Sequence, residues 1–291
     1  MEAIRNQRTI AGEVAVEGIG YWSGRRVHVE FRPAKTYAGI AFVRDDLQGC
    51  PRIAASIENR IETPLRTTLR CGDACVEMIE HIMAALAGMQ IDNCEIHVDQ
   101  PEMPGCDGSS FPFVDALCTA GVLPQDAPRP RKAIERVTRL GTDRSWIEAR
   151  PCCSGKTILQ CELDYGDDNP IGHQTLEIVL SPESFCENLA TSRTFVLEHE
   201  ATALQAKGLG LQTSFRDLLV FGPDGPIDNQ LRFADECVRH KLLDMVGDLA
   251  LAGCDLAGRF LAYRGGHRLN AELVRAVLAE DEGQLELKRC A

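Results

Sequence analysis

His240 and Asp244 stand four residues apart, a spacing that stacks two side chains on one face of a helix. Asp248 repeats the step one turn later. At about 100° per residue the three span roughly 80° of the helix surface, opposite Leu242, Met245, Val246 and Leu249. Taken alone, this is also the pattern of an amphipathic helix with a solvated polar face. Gly247 lies beside the polar stripe, where missing side-chain bulk lets another element come close. Far upstream, Glu80-His81 is an ionisable pair among Ile79, Ile82, Met83, Ala84, Ala85 and Leu86. Charge in so apolar a run is expensive unless it is paired or bound to a metal.

A catalytic zinc takes three protein ligands and keeps one position open. A helical His-x-x-x-Asp with one further histidine meets that need, which makes His81, His240 and Asp244 the candidate set. Glu80 is poorly placed as a fourth ligand of the same ion. It suits a base that takes a proton from water, whose pKa a zinc lowers toward about 7. His267 follows Gly265-Gly266 at a strand end and precedes Asn270, a candidate N-cap for a helix over 271–278. Strand-to-helix loops are where active-site groups collect. His28 and His97 fall within strand alternation and read as surface or packing positions, while His173 and His199 sit in polar surroundings and give little signal.

The elements that must position these groups follow from periodicity. Val27, Val29 and Phe31 alternate as one face of a strand. A helix is expected from near Asp73, with Val76, Ile79, Met83 and Leu86 on its apolar side, ending at Gly88 and leading into a strand over Cys94 to Val98. Downstream, Leu159, Cys161, Leu163 and Tyr165 share one strand face and Leu176, Ile178 and Leu180 another. A second long helix is expected from about Phe233 to Leu251, then a strand from Gly258 to Tyr263. In both halves a histidine-bearing helix ends in Ala-Gly (Ala87-Gly88, Ala252-Gly253) and returns into a strand, which reads as a weak internal duplication. Three prolines within 123–131 mark a linker. The expected fold is α+β, two similar domains of helices packed on a sheet, with the site in the cleft between them. The boundaries are 1–124, a linker over 125–132, and 133–291.

Composition restricts the partners. The chain has 291 residues, 44% hydrophobic, and a net charge of -12, which opposes sequence-independent binding to nucleic acid or anionic lipid. An anionic substrate would therefore need a local cation. Met1-Glu2-Ala3-Ile4-Arg5 lacks the apolar core of a signal peptide, and no run of eighteen apolar residues spans a bilayer. Thirteen scattered cysteines without C-x-x-C spacing read as mostly buried thiols in a reducing compartment. A cytoplasmic protein is expected, monomeric and without stable membrane insertion.

Six collinear motifs resemble the UDP-3-O-acyl-N-acetylglucosamine deacetylase family. They are Ile79 to Gly88 with Ile91-Asp92-Asn93; Asp107-Gly108-Ser109 with Pro112-Phe113-Val114; Ser192-Arg193-Thr194-Phe195; Arg239 to Asp244 with Gly247-Asp248; Gly266-His267 with Leu269-Asn270; and the opening Gln7 to Ile10 with Val29 to Ala34. Each is weak alone; together they span nearly the whole chain. The resemblance implies removal of acetate from the 2-amino group of an acylated UDP-glucosamine, the committed step of lipid A synthesis. It implies His81, His240 and Asp244 as ligands of one Zn2+ per chain, with Fe2+ an alternative occupant in the cell. It further implies Glu80 as general base and His267 as general acid, with Asp248 orienting His267. Thr194 would help hold the oxyanion, Lys241 would be a substrate-binding cation and Phe195 a wall of the site. Residues 196–215 would be an insert lining the acyl-chain passage.

This chain departs from the family pattern in places. Tyr21-Trp22 stands where Leu-His is usual, Met78-Ile79 where Thr-Val is common, and Gln212-Thr213 replaces a Gly-Gly pair. None touches a candidate ligand or acid–base group; all bear on acyl length, sugar contacts and inhibitor sensitivity. Two rival readings remain: a related zinc amidohydrolase acting on another N-acyl sugar, and a non-catalytic paralogue that binds a UDP-sugar or acyl chain. The second predicts loss of a ligand or acid–base group, and every one is present.

Overall fold

The computed structural model describes residues 5–289, with side chains described through residue 279. Residues 1–4, on which the signal-peptide expectation mainly falls, and residues 290–291 lie outside the described residues.

Two sheets share one topology. The first runs in the order Val14–Ile19, Arg26–Pro33, Cys94–Val98, Ile40–Arg44, Arg52–Ala54. The second runs Thr138–Thr142, Ser145–Arg150, Asp255–Tyr263, Thr157–Asp164, His173–Val179. In each, an antiparallel hairpin takes one side, and the strand that comes latest in the chain sits at the centre. That central strand is antiparallel to the hairpin and parallel to its other neighbour. The match of strand order and direction is what the sequence rhyme between the two halves anticipates.

Six α-helices lie among the described residues: α1 (Glu80–Gly88), α2 (Phe111–Ala120), α3 (Pro182–Asn188), α4 (Glu198–Gln205), α5 (Glu236–Leu249) and α6 (His267–Arg289). The central strand of each sheet follows the helix that bears a candidate ligand, α1 in the first half and α5 in the second. These two helices pack directly on one another. Gly247 is the contact point: a Cβ there would overlap the Glu80 carbonyl and crowd the Ala84 nitrogen. The approach expected from Gly247 is thus made by α1. Buried Ile82, Met83, Leu86, Val238, Leu242, Met245 and Val246 belong to one continuous core. Each half also carries a small extra sheet just upstream of its ligand helix, over residues 60–77 in the first and 195–226 in the second.

Three expectations are corrected. Residues 73–79 are not helical: Thr68–Cys71 and Ala74–Glu77 form a hairpin, and the helix begins only at Glu80. The local burial of Ala74–Glu77 alternates with period two, and Met78, at φ 60, turns the chain out of the strand. Helix α6 starts at His267 rather than after Asn270, whose side chain is engaged elsewhere. The cysteines, all free among the described residues, are not mostly buried: Cys94, Cys161 and Cys237 are, while Cys50, Cys71, Cys118 and Cys153 are exposed.

The proline-rich stretch between the halves is held in strands on both sides. Val122–Pro128 pairs antiparallel with Asn6–Ile10, and Arg131–Ala133 runs parallel to the start of Asp255–Tyr263. Proline is tolerated there because a two-stranded edge asks for donors on one side only.

Candidate active site

At the α1–α5 contact, His81, His240 and Asp244 bring one ligand atom each into a group whose members all lie within 4.8 Å of one another. All three are buried. The His240 Nε2 is 3.4 Å and the His81 Nε2 3.9 Å from Asp244 Oδ1, and the rings meet edge-on with centroids 5.1 Å apart. His240 is aimed by its other nitrogen, whose Nδ1 lies 3.0 Å from the Ser192 carbonyl; donation there leaves Nε2 with a free lone pair. The His81 Nδ1 is buried without a partner among the described residues. Burial, reinforced by His240, pushes the His81 imidazole down to about 3, and burial also lowers His240. Two neutral imidazoles and a carboxylate around a common point are the donor set a tetrahedral zinc requires, so the residues fit the group.

The Asp244 oxygens divide their work. Oδ1 faces the histidines, and Oδ2 accepts from Lys241 Nζ at 2.8 Å. Burial opposes the Asp244 charge, but His240, Lys241 and His267 hold it far below the usual carboxylate range. Lys241 is itself raised, its burial outweighed by Asp244. Its ammonium lies 5.7 Å from the Phe195 ring centroid, and Phe195 meets His240 edge-on at 6.4 Å.

Glu80 opens α1, 4% exposed, and its Oε2 accepts the Thr67 N–H at 3.0 Å. Burial raises its carboxyl to about 7, against the opposing pull of His267 and with help from Asp244 and Asp248. The His267 Nε2 stands 4.0 Å from both Glu80 Oε1 and Asp244 Oδ2. Its Nδ1 lies 2.9 Å from Asp248 Oδ2. Burial alone would lower His267; Asp248, Asp244 and Glu80 together lift it to about 9. The polar stripe of α5 is therefore not a solvated face, for His240, Asp244 and Asp248 are each no more than 3% exposed.

Thr194 reaches the same neighbourhood through its backbone. Its N–H donates to the Gly108 carbonyl at 2.7 Å, and its carbonyl accepts from Leu219. Its hydroxyl bonds none of the groups above among the described residues. Two participants escaped the sequence reading. Thr67 donates its hydroxyl to Asp248 Oδ1 at 2.5 Å and lies 3.3 Å from His267 Nδ1, and Asn270 donates to Asp248 Oδ2 at 2.8 Å. Nothing local marks Thr67, because its partners are 181 and 200 residues away. Asn270 was visible, but as a cap rather than as a carboxylate's partner.

The departures from the family pattern make contacts of their own. Trp22 donates its backbone N–H to Glu102 at 2.7 Å, and the Arg66 guanidinium lies 5.1 Å from its ring centroid. Met78 forms the left-handed joint before α1, and Gln212 packs where any side chain at Gly24 would have to go.

The sequence profile of the UDP-3-O-acyl N-acetylglycosamine deacetylase family matches residues 7–279. Proteins of Brucella ovis, Brucella melitensis biotype 2 and Brucella abortus (strain 2308) carry the name UDP-3-O-acyl-N-acetylglucosamine deacetylase. Each is 39% identical over 277 residues, covering 94% of this chain and 96% of the relative. With the profile running from the first strand into α6, and so across both ligand helices, the chain belongs to the UDP-3-O-acyl N-acetylglycosamine deacetylase family.

Proposed function

We propose that the chain hydrolyses the N-acetyl group of UDP-3-O-acyl-N-acetylglucosamine, releasing acetate and the free amine for lipid A biosynthesis, at the centre built on α1 and α5. The observation that carries this reading is the buried convergence of His81, His240 and Asp244 beside two acid–base groups with opposite tasks. A Zn2+ ion held by these three residues supplies Lewis acidity, polarising an amide carbonyl and acidifying water; Fe2+ suits the same donors.

Glu80, at about 7, is poised to be ionised near neutral pH and takes the proton from the attacking water. His267, at about 9, remains protonated there and gives its Nε2 proton to the departing amine. Asp248 holds the imidazolium by its Nδ1, and Thr67 and Asn270 hold Asp248. Two groups whose surroundings drive their pKa values apart thus divide the acid and base roles. Thr194 helps hold the developing oxyanion, a preorganised donor being effective where charge appears. Lys241 binds the anionic substrate as the local cation that a net charge of -12 makes necessary, and Phe195 walls the site. Residues 196–215 line the passage for the acyl chain; the exposed side chain of Leu211 and the half-exposed Phe215 are apolar surface suited to it.

No helix among the described residues is long and apolar enough to cross a membrane. The free thiols fit a reducing cytoplasm, where the chain works as a monomer with one zinc. Acetate release from a 3-O-acylated UDP-N-acetylglucosamine, followed during titration of metal-free protein with Zn2+, is the test. Turnover at full rate without metal overturns the reading.

A further inference from the structure

We infer that Tyr21 is a positioning residue: its hydroxyl clamps the insert of the second half onto the first half and thereby holds the flank of the site that carries Thr194. The phenol oxygen lies within hydrogen-bond distance of two carbonyls, Gly105 at 3.1 Å in the first half and Asp217 in the second. Its single proton goes to the nearer, Asp217. The reverse tie comes from the insert, where Thr213 donates its hydroxyl to the Tyr21 carbonyl at 3.0 Å. Room for the clamp is made by two glycines. A Cβ on Gly105 would overlap the Tyr21 ring, and one on Gly108 would lie 2.7 Å from the Asp217 carbonyl oxygen and 3.1 Å from the Tyr21 hydroxyl.

The clamp is one link from the chemistry. Gly108, beside the Tyr21 hydroxyl, accepts the Thr194 N–H, and Thr194 in turn accepts from Leu219, two residues beyond Asp217. Tyr21, Gly108, Thr194 and Asp217 therefore form a closed circuit across the two halves. Within it, a side-chain proton on Tyr21 sets how far residues 210–217 stand from the Tyr21–Gly24 turn. Beyond the clamp, Asn229 donates its side-chain amide to the Phe215 carbonyl, Ser214 is bridged to Asp217 by its own N–H and hydroxyl, and α4 buries none of its residues. Few buried contacts mean that such a segment opens locally at low cost unless it is tied.

The inference rests on the proposed passage only for its effect on substrate choice. Tyr21→Phe keeps the ring in the Gly105 slot and removes the donor alone. Hydrogen exchange of amides in 208–217 is expected to quicken about five-fold in the variant, with α1 and α5 unchanged. Measured on 3-O-acyl substrates of long and short chain, the ratio of kcat/KM values is expected to move several-fold toward unity, at unchanged zinc content. Unchanged exchange overturns the clamp. Faster exchange with an unchanged ratio overturns its role in the site. An enzyme indifferent to chain length before substitution instead refutes the passage assigned to 196–215, and the exchange result still decides the clamp.

Discussion

Thr67 and Asp248, 181 residues apart in the chain, share a hydrogen bond of 2.5 Å, and the same threonine gives its backbone N–H to Glu80. One small residue at the end of a loop thus touches both Glu80 and the carboxylate that holds His267. The following outcomes are expected from the surroundings that Glu80, Asp248 and His267 share.

Glu80→Gln keeps the zinc, because Glu80 is not one of the three converging ligands, and loses turnover by about 10²–10⁴-fold, the range of a missing general base. Metal analysis together with initial rates checks both halves of this statement. A variant within a few-fold of the parent rate would remove Glu80 from the mechanism.

Chelation abolishes activity, and one equivalent of Zn2+ restores it. His81→Ala, which removes one of three donors, prevents restoration at stoichiometric metal. Equilibrium dialysis against zinc measures the affinity directly; retention of tight binding in His81→Ala contradicts the ligand assignment.

The rate is bell-shaped in pH. Activity rises as Glu80 loses its proton, with the limb at or below pH 7 since a bound dication can only lower that carboxyl further. It falls as His267 loses its proton, at or below about pH 9, since the same dication also lowers the imidazolium. Asp248→Asn removes the charge that lifts His267, so the alkaline limb shifts to lower pH by about one unit or more. An alkaline limb indifferent to Asp248 would show that a different group sets it.

Gly247→Ala destabilises by about 1–3 kcal/mol, since the added methyl has only the Glu80 carbonyl to occupy. Because the displaced backbone carries the base, kcat falls more than the loss of folded protein explains. Thermal unfolding and active-site titration of the same sample separate the two effects.

Arg5 and Arg129 each bridge buried Asp92 of the first half and Asp255 of the second, at 2.7 to 3.2 Å. Asp92→Ala leaves two guanidiniums short of a partner and lowers stability by about 3–5 kcal/mol, as removal of one member of a buried ion pair does. Chemical denaturation checks the figure, and a change below about 1 kcal/mol would mean that Asp255 alone suffices.

The centre was legible in the sequence to the extent that its groups are local. His240, Asp244 and Asp248 share a helix face, and Glu80-His81 is conspicuous in an apolar run, so each could be picked out before any fold was known. The duplicated sheets were legible through the matching helix-to-strand returns. Two kinds of feature were hidden. Thr67 works only through partners the fold brings from far along the chain. The second strand of the hairpin, Ala74–Glu77, resembles a helix start because Val76 and Ile79 fit helical spacing by coincidence, and the left-handed turn at Met78 leaves no mark in hydrophobic periodicity.

The repeated strand order has one more consequence. Two like units meet through their ligand helices, one contributing Glu80 and His81, the other His240, Asp244 and His267. His81 comes from one helix and His240 with Asp244 from the other, so a truncated or half-folded chain would have no place to hold a metal ion. On the proposed function, metal uptake would then act as a quality check on synthesis: only a chain whose two ligand helices have met could be switched on.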